Sequence, residues 1–85
     1  MGYMNTKKIK GFESIETDQI CYYKTNEVWM LYHPEVGLGN LTDHEVVEHK
    51  DGSISVTPSI KITTKNKGKK VSVHGYLKQG VFTSC

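Results

Sequence analysis

From Ile54 to Ile62 the even positions are apolar or proline (Ile54, Val56, Pro58, Ile60, Ile62), and the odd positions around them are polar (Ser53, Ser55, Thr57, Ser59, Lys61, Thr63). A period of two is the mark of a strand with one face in the core and one in water. Val71, Val73 and Leu77 repeat the pattern with Ser72, His74 and Tyr76 between them, so the solvated face gains an imidazole and a phenol. Gly75 falls on the inward parity, where a side chain is expected, which predicts a bulge or a close backbone approach.

The rest of the chain reads as further short strands. Lys8 to Phe12 is a weak first candidate, Gln19 to Lys24 a second, and Glu27 to His33 a third, with Asn26 in the turn between the last two. Pro34 ends the third, since proline has no amide donor to continue a ladder. Glu35 to Thr42, with Gly37, Gly39 and Asn40, reads as a flexible loop. Its Gly-x-Gly lacks the third glycine and the following helix of a phosphate-binding turn. Thr42 and Glu45 have capping-box spacing, but Val46, Val47 and the Asp51-Gly52 pair favour a strand over residues 43–50 and a type I′ hairpin.

That hairpin pairs Val47 with Val56 and Glu48 with Ser55, putting Val47 in the core and Glu48 on the solvated side. Across the lysine-rich turn near Asn66 and Gly68, a register that keeps like faces together pairs Ile62 with Val73, Lys61 with His74, Ile60 with Gly75 and Ser59 with Tyr76, and any even slip keeps the faces as well. A last turn at Gln79-Gly80 returns the chain through Val81 and Phe82. The expected fold is all-β: a small antiparallel sandwich or open barrel of about six or seven strands with at most one short helix, forming a single domain over residues 1–85.

Composition narrows the classes. A chain of 85 residues supports one core. The balance of 11 basic and 9 acidic residues is no footprint for duplex nucleic acid, and no stretch reaches the length of a membrane span. Lys65, Lys67, Lys69 and Lys70 crowd one hairpin tip, which is first of all a solvated turn and secondly a contact for an anion. Cys21 and Cys85 are far apart and unpaired in spacing, and Met1 to Phe12 has no leader-like apolar run. The expectation is therefore a cytoplasmic protein with reduced thiols.

No complete catalytic or metal signature stands out. His44, Glu45 and His49 superficially match a metalloprotease helix, but the two imidazoles are five residues apart where that motif needs four. No closely spaced cysteine pair marks a zinc site, and no serine sits in a nucleophile elbow. No catalytic residue, metal or cofactor is therefore assigned. The solvated strand faces are the better candidate. Thr57, Ser59, Lys61, His74 and Tyr76, joined by Tyr32 and His33, supply hydroxyls, a cation, imidazoles and rings suited to an anionic, nucleotide-like small molecule.

Gly52 to Val81 also resembles the C-terminal part of a family of short uncharacterised proteins of phages and mobile elements, some mislabelled as ammonia monooxygenase. The resemblance rests on Thr57-Pro58-Ser59-Ile60, on His74-Gly75-Tyr76 and on Lys78-Gln79-Gly80-Val81, and covers about a third of the chain. Members carry cysteine-rich, zinc-binding elements; here Trp29 leads only to Tyr32-His33-Pro34, and Val73 stands before His74. The resemblance implies a retained β-scaffold without the metal, and a phage origin acting in the host cytoplasm.

Together these readings favour a non-catalytic protein that sequesters a nucleotide-like anion, a host immune signal being one such ligand, and that forms a homo-oligomer to cover its edge strands. The alternatives are a protein-interaction or structural β-domain without a ligand and, third, a nucleotide hydrolase.

Overall fold

The computed structural model describes residues 3–84. One eight-stranded sheet runs in the order β4-β3-β2-β1-β8-β7-β6-β5 and curls into an open half-barrel. Its strands are β1 (Tyr3–Lys8), β2 (Ile20–Thr25), β3 (Val28–His33), β4 (Gly37–Asn40), β5 (Glu45–Glu48), β6 (Ile54–Asn66), β7 (Lys69–Lys78) and β8 (Val81–Ser84). The all-β open barrel matches the expectation. All ladders are antiparallel except β1–β2, which is parallel. The connection over residues 9–19 is long enough to carry the chain back to the same end before β2 starts.

The inward alternation builds the core. Ile54, Val56 and Ile60 of β6, Leu77 of β7 and Phe82 of β8 pack with Ile20, Tyr22, Leu31 and Leu41. A second cluster lies on the outer face of β2 and β3. There the β1–β2 connection, with its 3-10 turn at Phe12–Ser14, covers Cys21, Tyr23, Met30 and Tyr32 with Ile9 and Ile15. Cys21 is buried and unpaired, and Cys85 lies outside the described residues. Among the described residues no helix is long and apolar enough to cross a membrane.

Two strands differ from the sequence reading. The first strand is Tyr3–Lys8, not Lys8 to Phe12; it is mostly exposed and is held by backbone pairing to β2 and β8, so it needs no apolar alternation. The supposed loop contains β4, which pairs with β3 after the tight turn at His33–Val36 and sets Gly39 against Ile62 across the barrel.

The turns set the registers. Asn26-Glu27, Lys67-Gly68 and Gln79-Gly80 have positive φ at both positions, the type I′ geometry that suits two-residue hairpins. At Asp51-Gly52 only Gly52 does, and the His49 amide bonds the Ser53 carbonyl, so the loop is Lys50, Asp51 and Gly52. The one-residue difference slips β5. Val46 faces Val56, Val47 faces Ser55 and Glu48 faces Ile54. Val47 is therefore 49% exposed rather than in the core. Glu48 sits at one barrel end, where its carboxylate meets Lys8 Nζ at 2.9 Å and is held below its usual pKa by that hydrogen bond.

Candidate functional site

The β6–β7 ladder pairs Ile62 with Val73, Lys61 with His74 and Ile60 with Gly75, the expected one of the registers that the alternation allows. Gly75 makes a close approach: a Cβ there would lie 2.5 Å from the Thr83 carbonyl oxygen and 2.6 Å from the Phe82 ring. Beyond this point the register shifts, so that Val56 faces Leu77. The bulge takes up Thr57, Pro58 and Ser59, with a cis bond between the first two, and the expected Ser59–Tyr76 pairing is displaced.

The bulge brings the polar groups together. Ser59 Oγ and His74 Nε2 are 2.8 Å apart. The His74 and Tyr76 rings are neighbours at 6.5 Å between centroids, and Tyr76 is 55% exposed. Lys61 stands directly opposite His74 on the same face. Beside them lies an open groove of about 560 Å³ lined by Ser55, Thr57, Pro58, Ser59, Tyr76 and Lys78 among others.

Two supports of this groove were not legible as such. His44 Nε2 lies 3.0 Å from the Ser59 carbonyl, and since a carbonyl only accepts, His44 carries its proton there and ties the β4–β5 link to the bulge. Ser55 Oγ accepts the Gln79 amide at 2.9 Å and contacts His49 Nε2 at 2.7 Å, which ties together the β5–β6 and β7–β8 turns at one end of the groove and commits that hydroxyl to structure.

Thr57, Ser59, Lys61, His74 and Tyr76 thus share one face. Tyr32 and His33 do not join them, because β3 is separated from β7 by β2, β1 and β8. Tyr32 lies on the outer face beside Phe12, Ile15 and Leu38, with its hydroxyl directed at the Thr17 carbonyl at 3.4 Å. His33 is 6% exposed, accepts the Glu35 amide at Nδ1 and packs edge-on to Phe82. Burial pushes its pKa down, and Glu35 opposes this more weakly. Trp29, another ring available for stacking, is at the barrel end with Tyr22, Lys8 and Lys24.

Among the described residues no three His, Cys, Asp or Glu side chains gather as metal ligands. His74 Nε2 contacts Ser59 Oγ, and among the described residues the one cysteine, Cys21, lies in the separate cluster on β2 and β3. Comparison with protein-family models, curated proteins and solved structures gives no match.

Proposed function

We propose that the protein binds a small anionic, nucleotide-like ligand on the outer face of β6 and β7 without transforming it. The observation that carries this reading is the set formed by Lys61 opposite His74, with Ser59 on the imidazole and the Tyr76 ring beside it. An ammonium and hydroxyl suit a phosphate, and an exposed phenol beside an imidazole suits the face of a base. β6, β7 and β8 contain no Asp or Glu, and the acid bordering their face is Glu45 of β5, the partner of Thr57, at the end away from the Lys65–Lys70 pair.

The Ser59–His74 contact favours one other reading, a serine-type nucleotide hydrolase. Against it, no carboxylate orients the imidazole among the described residues, and the pair stands on an exposed strand face without converging oxyanion donors. The resemblance to phage proteins makes host signalling nucleotides the first ligands to test, with sequestration as the role.

A thermal-shift and calorimetric panel of mononucleotides and cyclic dinucleotides tests the reading. A ligand bound only by the native state at 100 times its Kd stabilises by about 2.7 kcal/mol, a shift of several degrees. The ligand is expected back intact, and Lys61→Ala and His74→Ala each to weaken binding while the fold persists. Absence of a shift with every anionic nucleotide refutes the proposal, and recovery of a hydrolysed product favours the enzyme.

A further inference from the structure

We propose that the site of the preceding section extends along the β6–β7 hairpin as a track for a single-stranded oligonucleotide, an inference that rests on that reading and specifies its ligand class. β5 borders β6 only at Ile54 to Thr57, and β8 borders β7 only at Gly75 to Lys78. Between these limits, Lys61 to Asn66 and Lys69 to His74 pair only with each other. The hairpin is therefore a two-stranded arm. Ile62 and Val73 pack its inner side against the core.

The outer side of the arm continues the groove. Lys65 lies opposite Lys70, Thr63 opposite Ser72 and Lys61 opposite His74, followed along β7 by Tyr76 and Lys78. All of these are exposed, and none of the lysines meets a carboxylate among the described residues. Like charges directly opposite each other cost stability in a sheet. Here the Lys65–Lys70 pair has no acid beside it on either strand, so the row is built for a negative partner.

Length selects the partner. Lys70 to Lys78 spans about 26 Å at about 3.3 Å per residue. A mononucleotide at Tyr76 and Lys61 leaves Lys65 and Lys70 without a phosphate, whereas oligonucleotide sites take about 4 or more nucleotides on a basic track with rings for stacking. The exposed Tyr76 and His74 rings favour a single strand, whose base faces are open, over a duplex, whose base faces are stacked away.

Fluorescence anisotropy with labelled oligothymidylates of increasing length, a blunt duplex and a labelled mononucleotide tests the inference on the wild type and on Lys65→Gln/Lys70→Gln, each shown folded by circular dichroism. Affinity is expected to rise with length and then level off, with the duplex weaker than a single strand of equal length. The double variant should bind a twelve-residue oligonucleotide about tenfold more weakly and lower the salt slope by about 1.4, from about 0.7 per lost phosphate contact. Its mononucleotide affinity should be unchanged. Mononucleotide binding with no gain from length, or an oligonucleotide affinity indifferent to the double substitution, overturns the track and leaves the smaller site standing. Failure of both mononucleotide and oligonucleotides to bind overturns both.

Discussion

Ser59 Oγ lies 2.8 Å from His74 Nε2 although the two residues are not cross-strand partners; the bulge carries the serine there, and His44 holds the serine's carbonyl from the other side at 3.0 Å. His44 is thus a positioning residue for a face it does not touch. His44→Leu is expected to cost about 1–2 kcal/mol, the loss of a hydrogen bond to a partly buried carbonyl. It should also weaken nucleotide binding. His44→Gln, which keeps a donor, should recover part of both in urea denaturation and calorimetry.

The β5 register gives a second expectation. Val46 packs on the core and Val47 is 49% exposed. Val46→Ala should therefore lower stability by about 1 kcal/mol, and Val47→Ala by about 0.5 kcal/mol or less. Reversed effects in chemical denaturation would restore the two-residue hairpin.

Gly75 cannot accept a methyl group without moving the Thr83 backbone, since the added atom would lie 2.5 Å from that carbonyl oxygen. Gly75→Ala is expected to destabilise by about 1–3 kcal/mol through overpacking. The denaturation midpoint checks this, and an unchanged midpoint would show that β8 can move away.

Protonation should act in two windows. The folded His33 has its pKa lowered by burial from 6.5, so the unfolded chain takes up its proton first, and stability declines as pH falls through about 6.5. Glu48, lowered from 4.5 by the Lys8 hydrogen bond, and Asp51, lowered from 3.8 by the Ser53 hydroxyl and amide, contribute stability above those values that is lost in more acid solution. In melting curves across pH, His33→Gln should abolish the upper decline and leave the lower one.

The sequence made β6 and β7 legible because each buries one face, so parity places Lys61 and His74 on the same face, while the two-residue turn at Lys67-Gly68 makes them partners. β1 and β4 lack that signal. Backbone pairing holds β1 on both sides, while the glycines of β4 blank its alternation. The β5 slip was hidden because an Asp-Gly pair serves two hairpin geometries, with two or three residues in the loop. Residue type alone groups Tyr32 and His33 with the site, whereas their place depends on strand order, which local pattern does not encode. His44 acts through the carbonyl of a bulged residue, a contact without any spacing rule.

Nuclear magnetic resonance of the isotopically labelled protein, titrated with a nucleotide that gives a thermal shift, tests the central claim most directly. Saturable chemical-shift changes are expected at the amides of Ser59, Lys61, His74 and Tyr76 and at the His74 imidazole, with Tyr32, His33 and Trp29 unmoved. Changes centred on His33 or on the Trp29 end of the barrel, with the β6–β7 face silent, would contradict it.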